Sequence, residues 1–497
     1  MANNPVRSIT ILGGGAAGWM TAALLIRQLP PAGFSVTVVE SEEIGIIGVG
    51  EASVPILRQF NAMLDIDDHE FLRLTQGSYK LGIEFRDWGR PGNVHFHGFG
   101  DYGKAIEGVL PYQYWLRLRE QGDAEPIDDY SYPYAVARRN KFTPAEPGAS
   151  NYLHAFHFDA TLYARALRGI AEGLGVTRIE GKMVEAVLDG ETGDIRTLRL
   201  SDGQQVPGDL FIDCTGFAAA LIGKALGTRY IDWSHWLPAD RALAVPCAPV
   251  GQPTPFTRAT ARKAGWQWRI PLQHRTGNGL VYSSSFMSDD DAREELLANI
   301  EGPPQAEPRS FRFRSGRHEQ FWNRNCVAIG FAAGFLEPLE STGIQLIQTA
   351  IGWLIEYFPK AGIDPAFRDE YNRITGLEME RIRDFIIAHY CVSRRDEPLW
   401  AMCREMDLPD TLKYKLKIWE NCGRLPLFDA ESHQLPSWVA ILIGNGFIPK
   451  NYDVLADRVP LDRLRQGMAG LRAQIARAAA ALPDHGAYLD RNCRAGV

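Results

Sequence analysis

The sequence predicts an α/β fold with a parallel βαβ unit at its start, β-rich segments inserted into that module, and a mostly helical C-terminal part. Three observations carry this. Residues 8–40 alternate strand-type and helix-type runs around a cluster of glycines. The middle of the chain, from Trp266 to Met287, has the alternating, aromatic-rich pattern of sheet. From Gly343 onward the apolar residues recur at helical spacing.

Taken in order, Ser8–Leu12 is a short apolar run that ends in glycines, and Ala16–Leu29 follows with helical periodicity. Ser35–Glu40 (SVTVVE) is a second β-rich run that ends in an acid. Tyr163–Leu174 reads as an amphipathic helix, and Gly181–Leu188 and Ile195–Leu200 as strands with turn residues between them. Asp209–Gly216 (DLFIDCTG) is a short buried strand closed by a glycine. Helices are expected over Ile344–Phe358, Ile374–Tyr390 and Leu461–Leu482. The polar, Pro- and Gly-containing stretches at 121–150 and 287–310 read as excursions or linkers. There is no internal repeat and no low-complexity tract.

Composition excludes several classes. The chain has 497 residues, 45% of them apolar and 23% charged, an ordinary globular balance with room for a large core. Fifty-three basic side chains against 60 acidic ones give a formal charge of −7, without a run of like charge. No nucleic acid and no anionic membrane is therefore expected as a partner. Seven cysteines without a CxxC pair argue against a disulfide framework and against a zinc site, so no metal is expected. The apolar stretch from Ile9 to Ile26 holds Gly13, Gly14, Gly15 and Gly18, which argues against a signal peptide. Ile344–Phe358 is shorter than the roughly 20 residues a bilayer span needs, and it carries Gln345, Gln348 and Glu356. A cytoplasmic protein is the expectation.

Gly13-Gly-Gly-Ala-Ala-Gly18 fits GxGxxG through Gly13, Gly15 and Gly18. The first glycine permits the tight turn and the second lets the backbone approach a pyrophosphate. The third lets the helix pack on the strand, and the N–H groups of that helix end face phosphate oxygens. Glu40 stands 22 residues after Gly18, at the end of the next strand, where an acid accepts ribose hydroxyls. Asp209–Gly216 resembles the second signature of FAD-dependent monooxygenases, and Val184 stands where such folds hold the adenine through backbone. A second GxGxxG after a strand is absent, so FAD is expected rather than NAD.

Four further segments resemble the flavin-dependent tryptophan halogenases. They are Gly48-Val-Gly-Glu-Ala-Ser-Val-Pro55, Lys80 within Ser78–Trp88, the WxWxIP run Trp266–Pro271, and Phe335-Leu-Glu-Pro-Leu-Glu-Ser-Thr-Gly-Ile344. The resemblance spans residues 8 to about 360 and implies an FAD-binding Rossmann-like module of the monooxygenase type. On it, the FAD module covers 1–345, with substrate segments inserted near 78–150 and 225–310, and 346–497 forms a helical cover over the substrate pocket. It implies that reduced FAD (FADH2), O2 and a halide make hypohalous acid, which passes through a tunnel to a separate substrate pocket. A flavin reductase would supply the reduced cofactor, the substrate would be a small aromatic, and a homodimer is compatible with the class.

The resemblance assigns roles residue by residue. Lys80 would hydrogen-bond the hypohalous acid or form a haloamine, work that suits a desolvated lysine with a lowered pKa. Glu340 would polarise the electrophile or take the proton from the cationic arene. Thr342 and Gly343 match the halide-binding pair, while Ala16, Glu51, Ala52, Phe331 and Ile344 match contacts to the cofactor. Read without the resemblance, Glu340–Gly343 is a helix start at which Ser341 or Thr342 caps free N–H groups. A helix N-terminus is also an anion site, so the two readings coexist. Trp266 and Trp268 alternate on a strand and share a face, as core or as the bulk that separates substrate from flavin. His97-Gly-Phe-Gly100 resembles a segment that flanks the substrate and nominates His97 and Phe99.

One departure matters. Relatives acting on free tryptophan carry adjacent tyrosines and a nearby glutamate toward the C-terminus, whereas here the region reads Pro436–Tyr452, with Trp438 as an aromatic candidate. Indole or an indole derivative, or a larger carried substrate, is expected in place of free tryptophan. Bromide, easier to oxidise and less strongly hydrated, is expected over chloride. The alternatives are an FAD-dependent aromatic hydroxylase and a flavin-fold binding protein without catalysis.

Overall fold

The computed structural model describes residues 5–30, 33–43, 50–144 and 152–495. Two compact units interleave along the chain. One comprises 1–75, 158–238 and 312–380, the other 76–157, 239–311 and 381–497.

The first unit is built on a six-stranded sheet. Its strands run, in spatial order, Trp322–Asn323, Cys326–Ala328, Leu210–Asp213, Ser8–Leu12, Ser35–Glu40 and Thr177–Glu180. All neighbours are parallel except the first pair, with Leu12 opposite both Val39 and Asp213. The expected βαβ unit is present: the helix Ala16–Gln28 follows the first strand, and Gly18 to Leu25 of it are buried. A strand so placed reads as nearly continuous apolar residues because both faces are covered. The helix Ala160–Gly173 packs beside it. It buries Ala160, Tyr163, Ala164, Leu167 and Ala171 along one stripe and is capped by Asp159, which accepts from Thr161 N and Leu162 N at 2.9 and 3.1 Å. The expected strands at 181–188 and 195–200 pair antiparallel as Met183–Leu188 and Ile195–Leu200.

In the second unit, six strands of a seven-stranded sheet, whose edge strand is Arg309–Arg312 beside Arg241–Cys247, lie side by side in the order Arg241–Cys247, Thr276–Tyr282, Gly265–Pro271, Thr257–Arg262, Gly82–Arg86 and Val94–Gly98. Pairing is antiparallel except between Thr257–Arg262 and Gly82–Arg86. The strand Ser78–Lys80 pairs antiparallel with Ala155–Asp159, Ser78 opposite His157 and Lys80 opposite Ala155. Helix Leu435–Gly444 packs on Val94–Gly98. Gly444 permits this, since a Cβ there would lie 2.4 Å from the His95 ring.

The stretches expected to be linkers contain regular structure. Within 121–150 lie a 3₁₀ turn at Ile127–Tyr130 and the helix Tyr132–Ala137. Within 287–310 lies the helix Asp289–Ala298, with three aspartates in its first turn and Ser288 accepting from Asp291 N at 3.1 Å. Its Ala292 and Leu296 close a core with Leu243, Val245, Leu280 and Tyr282. Polar residues concealed it because two apolar positions suffice for its buried stripe, while acids at its start complement the helix dipole. Helices expected from 343 onward are found at Gly343–Glu356, Pro365–Cys391 and Leu461–Ala480, and the division between units falls within the second. Among the described residues, no helix is long and apolar enough to cross a membrane.

Candidate active site

The glycine turn lies at the C-terminal ends of the parallel strands. Gly13 has φ +114°, and a Cβ on it would lie 2.3 Å from the Cys214 carbonyl oxygen, so the turn is closed to other residues. A Cβ on Gly18 would lie 1.8 Å from Gly13 O, which is the close packing of helix on turn that the third glycine serves. Gly15 differs: among the described residues, a Cβ there would meet no atom within 4 Å. Packing among the described residues thus does not require glycine at this position. No side chain caps the helix that starts at Ala16, and no acid stands in its first turn. Its N–H groups are therefore available to phosphate.

Glu40 stands beside this turn, at the end of its strand, with Oε2 accepting from Trp19 Nε1 at 3.2 Å. Arg168 and Arg178 hold Oε1. Three side chains thereby fix the carboxylate in place. Asp213, at the end of the DLFID strand, is wholly buried and accepts from Leu221 N, Ile222 N and Thr215 N at 2.7, 2.9 and 3.0 Å. The open position at Gly15, the uncapped helix and the positioned acid fit FAD. Val184, on Met183–Leu188, is 53% exposed. Glu51 and Ala52 form the strand Gly50–Ala52, and burial pushes the Glu51 carboxyl up to about 7. Gly48 and Val49 lie outside the described residues.

The segment Glu337–Ile344 is also in the first unit and, apart from the exposed Pro338 and the half-buried Gly343, is buried, with Glu340 at 2% exposure and Thr342 at 1%. Ser341 takes the left-handed conformation, φ 61°, and turns the chain into the helix Gly343–Glu356. Of the two expected caps, Thr342 does not form one. Thr342 occupies the N-cap position at φ −86° and ψ −8°, outside the extended range of a capping residue, and makes no side-chain hydrogen bond to the helix. The helix start thus has no cap from Thr342 and no acid in its first turn, a setting that suits a small anion. A Cβ on Gly343 would meet only Phe331 Cε1, at 3.8 Å. Phe331 stacks on Phe217 at 4.9 Å and meets Phe335 edge-on at 5.0 Å. Ile344 is buried in the first turn of the helix.

Lys80, in the second unit, has no solvent exposure. Its Nζ stands over the ring of Phe99, 5.3 Å from the centroid. Lysines are among the residues least often wholly buried. Trp266 and Trp268 lie on one face of Gly265–Pro271, as their spacing predicts, with ring centroids 6.1 Å apart. The strand beneath accommodates Trp268 through Gly279, where a Cβ would lie 2.0 Å from the indole Cζ2. His97 and Trp438 stand around Phe385, the first at 5.9 Å and the second at 4.8 Å between ring centroids. Trp438 is wholly buried, and its indole N–H has no hydrogen-bond partner among the described residues.

Sequence reasoning did not nominate several of these partners. Phe385 and His433 stack at 3.9 Å between His97 and Trp438. Lys415 lies beneath Trp438, 5.0 Å from its ring, and is paired with Glu431. Arg168 and Arg178 are 128 and 138 residues from Glu40. Asp213 alone had a usable signal, an acid closing an apolar strand immediately before a threonine-glycine turn.

The parallel sheet with its glycine turn, the acid at the end of the second strand and the start of the helix Gly343–Glu356 fit the class that the family match gives, an FAD-dependent oxidoreductase. Residues 8–461 match the tryptophan halogenase family, and the chain belongs to that family. It is a flavin-dependent halogenase, which uses reduced flavin, O2 and a halide to halogenate an electron-rich arene. The tryptophan 6-halogenase SttH of Streptomyces toxytricini is 35% identical over 476 residues, 88% of this chain and 89% of that protein. Among solved structures, BrvH, a flavin-dependent halogenase from Brevundimonas sp. BAL3, superposes with TM-score 0.95 at 45% identity, covering 98% of this chain and 99% of that one. Xcc4156, a flavin-dependent halogenase from Xanthomonas campestris, gives TM-score 0.96 at 42% identity, covering 99% and 100%.

Proposed function

We propose that the chain halogenates indole or an indole derivative, with bromide preferred over chloride, and that Lys80 and Glu340 carry the transfer. When bound, reduced FAD would supply, with O2, the oxidation of halide to hypohalous acid. Gly13, Gly15, Ala16, Gly18 and Glu40 would hold its pyrophosphate and ribose, Val184 its adenine, and Glu51, Ala52, Phe331 and Ile344 its remaining contacts. Thr342 and Gly343 would hold the halide by the N–H groups of the helix start. The Lys80 ammonium hydrogen-bonds the oxygen of hypohalous acid and transfers a proton to it as the O–halogen bond breaks, so that water leaves and lysine is left as the amine while the halogen bonds a ring carbon. The Glu340 carboxylate takes the proton that this carbon then loses, and the arene is restored.

The observation that carries this reading is Lys80, unexposed and set against Phe99. A lysine whose work was solvation would not be built there. His97, Phe99 and Trp438 are proposed to flank the arene, and Trp266 and Trp268 to keep it from the flavin. Pro436–Gly444 offers apolar surface and a buried indole in place of paired tyrosines, which favours a neutral arene over a zwitterion. We also propose that the segments near 78–150 and 225–310 and the region 346–497 serve the substrate side, that the chain works in the cytoplasm, and that it forms a homodimer. Competition between bromide and chloride for indole at equal concentration tests the halide and substrate together. An excess of bromoindole supports the reading, and an excess of chloroindole overturns the halide preference.

A further inference from the structure

The surroundings of Lys80 contain a hydrogen-bond chain whose direction can be read from donor and acceptor chemistry. Ser78 Oγ lies 2.6 Å from the carbonyl oxygen of Pro271, which can only accept, so the one hydroxyl proton of Ser78 is donated there. Ser78 Oγ also lies 3.0 Å from His157 Nδ1, and with its proton committed it must accept. His157 Nδ1 therefore carries a proton. At the other end of the ring, Thr257 Oγ1 is 2.9 Å from Nε2 and donates to it when the ring is neutral. The chain Thr257–His157–Ser78–Pro271 thus ties together the strands Thr257–Arg262, Ala155–Asp159 and Ser78–Lys80 and the end of Gly265–Pro271.

Lys80 follows Ser78 by two residues on the same short strand, so the two side chains leave it on the same face, next to His157. We propose that His157 is a positioning residue for Lys80: a neutral imidazole of fixed tautomer that sets the lysine strand and keeps a second positive charge from the ammonium that delivers the halogen. This rests on the proposed role of Lys80. The imidazole is wholly buried. The charged or titratable groups facing it are Lys80, His485 on the helix His485–Asn492, and Arg269 on Gly265–Pro271. Arg269 is compensated by Glu301 at 2.8 Å. His485 is itself neutral, receiving Tyr79 N–H at Nε2 (3.3 Å) and donating from Nδ1 to Pro253 O at 2.7 Å. Burial and the neighbouring cations both push His157 well below the ordinary imidazole value.

The test is the coupling ratio, haloindole formed per hypohalous acid made, in the flavin-loaded enzyme. Hypohalous acid is counted with a soluble trap in a parallel reaction without indole. In His157→Leu and Ser78→Ala the ratio should fall about tenfold or more while flavin binding and hypohalous acid output hold, because the misplaced group acts after oxidant formation. His157→Gln, which can donate and accept at similar reach, should restore most of it. Nitrogen-15 spectra of histidine-labelled enzyme should show a neutral ring protonated at Nδ1 near neutral pH, a reading that needs no variant to fold. A cationic ring, or the Nε2–H tautomer, overturns the proposal. So does a wild-type ratio in both His157→Leu and Ser78→Ala when Lys80→Ala has lost it. Retention of the ratio in Lys80→Ala would instead bring down the role of the lysine itself.

Discussion

Lys80 and Phe99 meet as cation and ring face, with Nζ 5.3 Å from the centroid and the lysine withdrawn from solvent. The contact both orients the ammonium and replaces part of its lost hydration. Such pairs are worth about 0.5–2 kcal/mol, more when desolvated.

Phe99→Leu should therefore lower the rate of halogenation several-fold, up to about 30-fold if a full 2 kcal/mol is lost. Phe99→Tyr, which keeps the ring face, should stay near wild type. Steady-state rates at saturating indole and flavin check this. Equal rates for the two variants would remove the ring from the positioning of Lys80.

The two glycines of the turn should fail in different ways. Gly15→Leu meets no atom of the described residues at its Cβ, so the chain should fold with near-normal Tm and lose flavin. Gly13→Ala puts a methyl 2.3 Å from Cys214 O at φ +114° and should destabilise the fold itself by about 1–3 kcal/mol. Thermal melts and visible flavin absorbance after desalting separate these outcomes.

This contrast also shows what was legible in the sequence. Gly13, Gly18 and Glu40 could be read directly, because a tight turn, a close helix and a strand-end acid are local demands on residue type. Thr342 does not cap because a left-handed Ser341 carries it away from capping dihedrals, a backbone detail that no local pattern encodes. The helix Asp289–Ala298 was hidden by its acids, although Ser288 three residues before Asp291 was a readable cap. The arginines at Glu40 and the Phe385–His433 stack beside His97 depend on long-range pairing, which periodicity does not report.

Glu51 sets a pH window for the flavin-free protein. Its folded carboxyl is raised from 4.5 to about 7 by burial, so the folded state holds its proton where the unfolded state has released it. Stability should thus decline as pH rises from 4.5 to about 7 and level off above, by at most about 3 kcal/mol from this group. Glu51→Gln should flatten that part of the profile relative to wild type. Asp128, raised to about 7 in the same direction, contributes equally to both proteins and cancels in the comparison. Denaturant midpoints across this range decide it, and parallel profiles would contradict the assignment.

Lys415 and Glu431 form a buried ion pair beneath Trp438, with side-chain exposures of 0% and 3%, and Lys415 Nζ also donates to Pro426 O at 2.9 Å. Lys415→Met should cost about 3–5 kcal/mol, since it strands a buried carboxylate. Adding Glu431→Leu should recover most of that loss. Urea unfolding of the two single variants and the double variant gives the coupling, and additive losses would show that the pair does not act as a unit.

The central claim is that Lys80 hands an oxidised halogen to an electron-rich arene. The direct test is mass spectrometry of indole incubated with the enzyme, FAD, a flavin reductase, NADH and bromide or chloride, for wild type and Lys80→Ala side by side. The account predicts a product with the halogen isotope pattern in the wild type and none in Lys80→Ala, although that variant binds flavin and still makes hypohalous acid. An oxygenated indole without halogen, or undiminished haloindole from Lys80→Ala, would contradict it.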